Sequence, residues 1–150
     1  MALNFHDVVM RSRSGNVGST TLSAGENEYL RVHDLFFQYS ANATVGNRSP
    51  ELLIFGWDFS KDPAGLSTMK RVIIPITITA SQNVYVTSAQ DNQAAVTTVV
   101  GAATFLKWPW PRGGIWLPPL SQLSVIDAAN VSSTDQIIEL ALVAEQYLKT

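Results

Sequence analysis

Cysteine is absent from the 150 residues of this chain. Disulfides, thiol nucleophiles and thiolate metal sites are therefore excluded. Small secreted domains often depend on disulfides, so this absence favours assembly inside a cell. Histidine is nearly absent too, with only His6 and His33. A histidine metal site needs several ligands at close spacing, and His33 and Asp34 on one strand would point to opposite faces. Both histidines are therefore interpreted as structural.

Charge is also scarce. Only 15% of the residues are charged whereas 46% are hydrophobic, and an average soluble domain has about 25% charged residues. A lone monomer needs a charged surface without large apolar patches. The composition thus predicts a homo-oligomer whose surface is partly covered by other subunits, with a sticky monomer as the alternative. The net charge is -2 and no basic run occurs, so no nucleic-acid partner is predicted.

Long apolar runs and catalytic motifs are missing as well. No run of about 18 apolar residues is present, and the first 14 residues lack the apolar core of a signal peptide, so no membrane partner is predicted. There is no G-x-S-x-G elbow and no phosphate-binding glycine loop. Asp58 and Asp62 could approach a cation or a sugar, but Asp62 precedes Pro63 in a typical turn. We predict no enzymatic activity, no cofactor and no metal site; a metal enzyme is kept as a third hypothesis.

What the sequence does contain is a series of short runs rich in β-branched and aromatic residues. Such runs, separated by turn residues at regular spacing, are typical of an all-β sandwich. One domain is predicted over residues 17–150, preceded by an N-terminal arm over residues 1–16. An arm with little local structure is ordered only when it docks on the domain or on a neighbour. The predicted strands cover residues 17–22, 29–41, 51–59, 69–80, 83–88, 94–106 and 122–127.

The alternation of apolar residues slips within the strand at 29–41. Leu30, Val32 and Phe36 share one parity, whereas Leu35, Phe37 and Tyr39 share the other. This slip predicts either a β-bulge near His33 and Asp34 or a strand buried on both faces.

Three further positions modify the predicted strands. Pro75 cannot donate to a ladder, so its strand lies at an edge or breaks in two. Gly101 marks a bend within the strand at 94–106. The final segment, residues 135–148, fits one face of a helix and also one face of a strand. A sandwich needs a closing strand here, so a strand is preferred.

The most distinctive stretch is FLKWPWPRGGIWLPPL, residues 105–120, which holds three of the four tryptophans. Trp108 and Trp110 alternate with prolines, which predicts a rigid loop between two strands. Three interpretations stay open: the indoles cap the open end of the sandwich, anchor a protein interface, or form a stacking platform for sugars. Arg112 could stack or form an ion pair there. The predicted contact residues for a partner or ligand are Trp108, Trp110, Arg112, Trp116 and Phe5.

Four stretches together resemble a known group of proteins. They are LSAGE, ATVGNRSPELLIF, LPPLSQLSVID and DQIIELALVAEQYL, in this order over residues 22–148. A similar order of a turn, a T-V-x-N-R loop, an L-P-P turn and a D-Q-I strand is found in small all-β virion structural proteins of tailed bacteriophages. The WPWP insertion is not part of that pattern.

This resemblance implies a jelly-roll-like sandwich without enzymatic activity. It implies a capsid decoration or minor capsid protein, located in the virion, assembled in the host cytoplasm, and bound to copies of itself and to the major capsid protein. A component of the tail or of the head–tail junction is the next expectation. A lectin-like module that binds carbohydrate through Trp108 and Trp110 is the alternative from the residues themselves.

Overall fold

The structure, a computed structural model, describes residues 2–15, 19–58, 65–89 and 94–149, without the side chains of residues 57, 58, 65, 66, 68, 69 and 89. It is all-β, with 66% of the residues in strands. None of the described residues forms a helix that could cross a membrane. The strands are β1 (Leu3–Ser14), β2 (Ser19–Ser23), β3 (Glu28–Ser40), β4 (Pro50–Asp58), β5 (Gly65–Ile73), β6 (Asn83–Ala89), β7 (Val96–Val100), β8 (Ala103–Pro109), β9 (Ile115–Leu117), β10 (Gln122–Asp127) and β11 (Gln136–Lys149).

These strands form two sheets packed face to face, which makes the protein a β-sandwich. The larger sheet has the order β1-β11-β3-β6-β8-β7, and β9 also pairs with β3; the smaller sheet has the order β2-β10-β4-β5. Neighbouring strands are antiparallel except for β6 and β8. The inner faces supply the core, which includes Leu30, Phe37, Leu52, Leu123 and Leu140. The jelly-roll connectivity stays a prediction.

The segment predicted as an N-terminal arm is largely a strand. β1 pairs with β11 from Leu3 opposite Lys149 to Ser14 opposite Glu139. Most of its side chains are exposed, so the backbone ladder to β11 holds the segment in place. Sequence patterning indicates burial, and a strand that buries few side chains gives a weak pattern.

The slip of alternation in β3 is a bulge at His33. Val143 of β11 lies opposite Asp34, and the next residue, Ala144, lies opposite Val32, so His33 is the extra residue. The bulge turns Leu30 and Val32, before it, and Leu35, Phe37 and Tyr39, after it, to the same buried side. Phe36 consequently faces the other side of the sheet.

The remaining strand predictions have mixed outcomes. The final segment is a strand, as preferred, and Pro75 lies in a bend after β5 ends at Ile73. The single strand predicted over 94–106 is wrong: it is a hairpin of β7 and β8, turning at Gly101, which has a φ of 60°. A glycine in that conformation permits a tight two-residue turn rather than a bend. Val17, Phe59, the turn at 61–64 and the loop at 90–93 lie outside the described residues.

Candidate functional site

The tryptophans of the WPWP stretch are buried. Trp110 is only 1% exposed and Trp108 only 8% exposed, and their rings meet edge to face at 5.8 Å. Side chains this deep in the sandwich offer no surface to a partner or to a sugar ring. The prediction of Trp108 and Trp110 as contact residues is therefore wrong. Of the three interpretations, the burial of both indoles agrees with the one in which they fold back onto the sandwich.

Trp110 has a specific structural task beside the bulge of β3. Its indole N–H donates to the carbonyl oxygen of Val32 at 2.9 Å. β3 pairs with β9 up to Val32 and with β6 from Phe36 onward, so the interval between them falls at the bulge. The indole gives the buried Val32 carbonyl a hydrogen-bond partner. Leaving that carbonyl without a partner would cost about 1–3 kcal/mol of stability. The hydrogen bond thus connects the segment that follows β8 with β3.

The other two predicted aromatic residues do lie at the surface, and the fold brings them together. Phe5 of β1 is 58% exposed and Trp116 of β9 is 45% exposed. Tyr147 of β11 lies between them, with its ring centre 5.8 Å from that of Phe5 and 5.2 Å from that of Trp116. We call these three residues the aromatic patch. It lies on the outer face of the larger sheet, the face directed away from the smaller sheet.

A charged group flanks the aromatic patch. The guanidinium carbon of Arg31 lies 5.8 Å from the centre of the Trp116 ring, and Arg31 forms an ion pair with Glu145 at 3.3 Å. Tyr147 donates its hydroxyl hydrogen to the Glu145 carboxylate at 2.7 Å. That hydrogen bond raises the pKa of Tyr147 and lowers the pKa of Glu145. The patch therefore combines exposed rings with fixed polar groups of both signs.

Arg112 lies near this patch but not within it. It is exposed in a turn in which the Gly114 N–H donates to the Pro111 carbonyl at 3.0 Å. The neighbouring Gly113 carbonyl accepts a hydrogen bond from Arg31. Arg31, which the sequence did not single out, is the cation that contacts Trp116, because strand pairing places it directly opposite Trp116.

Apolar surface continues from the aromatic patch along β1. Val8 is 58% exposed and Met10 is 78% exposed. Met10 also borders an open groove of about 340 Å³ whose wall includes Phe36, Ala141 and Val143. Bulky apolar residues at such exposure in one region mark interaction surfaces more often than isolated ones do. The outer face of the larger sheet is accordingly the candidate binding surface.

Comparison of the chain with family models, with curated proteins and with solved structures found no match. The candidate site thus depends on the geometry of this chain alone.

The sequence did not predict the buried ion pair between Arg48 and Asp135. Both side chains are fully buried; Arg48 Nε donates to Asp135 Oδ2 at 2.8 Å, and Nη2 donates to Oδ1 at 3.1 Å. Burial alone would raise the pKa of Asp135, but hydrogen bonds from Arg48 and from the Asn42 amide outweigh it and lower that pKa. Asp135 directly follows a Ser-Ser-Thr stretch of the kind that forms turns. Its backbone N–H does bond to Ser132, but its carboxylate is half of a core ion pair.

This ion pair joins two of the motifs that carry the phage resemblance. Arg48 is the arginine of ATVGNRSPELLIF, and Asp135 begins DQIIELALVAEQYL. The other two motifs also meet: the Ala24 N–H donates to the Ser121 carbonyl at 2.9 Å, and the Leu120 N–H donates to the Gly25 carbonyl at 3.2 Å. All four motifs therefore contribute contacts that hold the fold.

Ligands for a metal ion are not clustered in the described part of the chain, where no group of three or more histidine, aspartate or glutamate side chains could hold one. The Asp58 side chain and Asp62, which the sequence offered for a cation or a sugar, lie outside the described residues. His33 lies 3.3 Å from Glu145 through Nε2, beside the aromatic patch. Through this contact the bulge residue of β3 is connected with the charged group that flanks the aromatic patch.

Proposed function

We propose that this protein is a non-enzymatic structural subunit of a bacteriophage particle, a capsid decoration or minor capsid protein, that docks on a neighbouring virion protein through the outer face of its larger sheet. The observation that carries the docking surface is the aromatic patch of Phe5, Tyr147 and Trp116. Exposed tryptophan and tyrosine beside arginine are enriched among the residues that dominate interface energies. The phage setting is supported by the four motifs that resemble phage virion proteins.

The arrangement of charges supports a protein partner. Arg31 and Glu145 are paired with each other and lie at the margin of the rings. A ring of polar groups around aromatic anchors is the usual anatomy of a protein interface. The partner we propose is the major capsid protein, with the tail or the head–tail junction as the alternative location.

The test is complementation. The gene for this chain is deleted from a phage that encodes it, and the wild-type chain or a variant is supplied separately during infection. Virions formed with the wild-type chain are expected to contain it, and gold-labelled antibody is expected to mark the capsid. Trp116→Ala removes the largest ring of the patch and is expected to weaken binding to particles about thirtyfold, as for a hot-spot tryptophan.

Ile73→Ala is the control, because Ile73 is 64% exposed but lies in β5, an edge strand of the smaller sheet. Incorporation of Ile73→Ala should equal that of the wild type. Virions that never contain the chain would refute the proposal, and label on the tail would move it to the alternative location. Equal incorporation of Trp116→Ala would exclude the patch as the docking surface.

A further inference from the structure

The outer edge of the larger sheet is formed by β7, and this edge is unprotected. All five of its side chains are exposed, and within the described residues β7 pairs only with β8. No charged residue and no proline occurs anywhere from Ala94 to Leu106. In an antiparallel ladder alternate residues direct their backbone N–H and C=O groups to each side. Half of the β7 backbone groups therefore face a free edge.

The β1 and β5 edges of this protein carry the usual protection against edge-to-edge pairing, because β1 has three charged side chains and β5 has two. The β2 edge has none, but it is covered by β1, because Arg11 and Arg13 donate hydrogen bonds to the Ser23 and Thr21 carbonyls. Charged side chains on an edge strand oppose pairing with another chain. β7 has valine and threonine only, which are residues that favour strand pairing. The lack of such protection at β7 points to β7 as an edge that pairs with a strand of another chain.

We infer that β7 pairs with β7 of a second copy of this chain, antiparallel about a two-fold axis at Thr98. In that register Val96 lies opposite Val100, and Thr97 lies opposite Val99. The sequence VTTVV thus pairs apolar side chains symmetrically. Val96 is 50% exposed, and Val99 and Val100 are each 63% exposed in the single chain, so all three gain a cross-strand neighbour.

A second copy is the occupant that the charges favour. Two uncharged edges meet without repulsion, whereas a β1 edge would bring Asp7, Arg11 and Arg13 beside the valines. A two-fold contact also closes on itself and leaves no free β7 edge to recruit further chains. The larger sheets of the two copies then form one continuous sheet. This inference does not depend on the proposed phage function or on the aromatic patch.

A single cysteine tests the register, because the wild-type chain contains none. Thr98→Cys places two thiols opposite each other on the axis, so mild oxidation is expected to give a disulfide-linked dimer. Val100→Cys is the matched control on the same strand. Its thiol would lie four residues, about 13 Å, from its symmetry mate, too far for a disulfide. Absence of a Thr98→Cys dimer, or equal cross-linking of Val100→Cys, would overturn the inference.

A second measurement uses the purified chain without cysteine. Sedimentation velocity over a concentration series is expected to show a reversible monomer–dimer equilibrium. Val99→Lys adds like charges at both symmetric contacts and is expected to weaken the dimer about tenfold. Val45→Lys alters a valine that is 91% exposed in a loop and should leave the dimer unchanged. A monomer at all concentrations, or equal effects of both lysines, would contradict the pairing.

Discussion

Asp135 illustrates how one buried carboxylate can connect distant parts of the chain. It accepts hydrogen bonds from the Arg48 guanidinium and, at 2.8 Å, from the Asn42 backbone. Arg48 in turn donates to the Gly46 carbonyl at 2.7 Å. Nearby, Tyr39 donates to Asp127 at 2.9 Å, and burial together with that bond raises the pKa of Tyr39. This network ties the loop before β4 to the start of β11.

We expect Asp135→Asn to lower the free energy of unfolding by about 3 kcal/mol at neutral pH, because it leaves the buried guanidinium without its counter-charge. The carboxylate pKa is lowered in the folded protein from 3.8. Its ionisation thus adds stability at pH values above about 4, and this stability is lost as the pH falls through the folded pKa. Urea unfolding from neutral pH to about pH 2 measures both effects.

The control for this substitution is Asp7→Asn, which alters an exposed carboxylate in β1 and should change the free energy by less than about 0.5 kcal/mol. Glu28, whose pKa is also lowered, contributes the same acid sensitivity to the wild type and to both variants, so its effect cancels when they are compared. The loss of stability in Asp135→Asn should therefore shrink as the pH falls. A loss that is constant with pH would contradict the assignment.

Trp110 gives the second prediction at the scale of single residues. Trp110→Phe removes the donor to the Val32 carbonyl and part of a buried ring, so we expect a loss of about 2 kcal/mol or more in the free energy of unfolding. Circular dichroism in a urea titration measures it without relying on tryptophan fluorescence. Trp116→Phe, at the 45% exposed position, should cost less than about 0.5 kcal/mol. Similar losses in both variants would argue against the assigned role of Trp110.

Among the strands, β3 keeps one face toward the core by means of its bulge. The residues before His33 and those after it face the core on opposite parities, and the bulge accommodates this change by leaving His33 out of the ladder with β11. If His33 stayed in the regular ladder, a one-residue shift would turn one half of the apolar set toward solvent.

We therefore expect deletion of His33 to keep the fold, because Val32 and Leu35 are then two residues apart and both face the core in a regular ladder with β11. Deletion of Phe36 is the matched control and should abolish cooperative folding, because Leu35 and Phe37 then become neighbours and cannot both face the core. Thermal unfolding and amide chemical-shift dispersion of both variants measure this. Loss of cooperative folding on deletion of His33, or wild-type dispersion after deletion of Phe36, would contradict the assignment of His33 as the extra residue.

The elements also show what could be predicted from sequence. The bulge and the all-β class follow from local alternation, which records burial directly. The strand at 136–149 does not, because its apolar residues also fit a helix, and it was predicted from the need of a sandwich for a closing strand. β1 has few buried side chains, so its strand was missed. The β7–β8 hairpin was read as one strand, since Gly101 is compatible with either a bend or a turn. The burial of Trp110 and the Arg48–Asp135 pair depend on contacts 78 and 87 residues apart, which no local pattern records.

At the scale of the whole molecule, the low charge of the composition is unevenly distributed. The uncharged β7 edge lies at one side of the larger sheet, and at the other side the apolar residues of β1 extend from the aromatic patch toward the groove. The composition predicts that other subunits cover part of the surface, but it does not indicate which part. The structure has two separate regions, the β7 edge and the β1 surface, where contact with another subunit would bury apolar side chains. Because the two regions are separate, substitutions in each can be tested independently.

We expect the double substitution of Val8→Gln and Met10→Gln to raise the solubility limit of the isolated chain without lowering its unfolding midpoint. Both side chains are exposed by more than half, so glutamine there removes apolar surface, keeps the net charge at -2 and disturbs no core packing. Saturation concentration and thermal unfolding measure the two effects. The control makes the same change elsewhere, at Val45 and at Ile73, which are also exposed by more than half. If that control raises solubility equally, the total exposed apolar area rather than the β1 surface limits solubility; if only the β1 variant does so, the outer face is the region that the assembled protein has to cover.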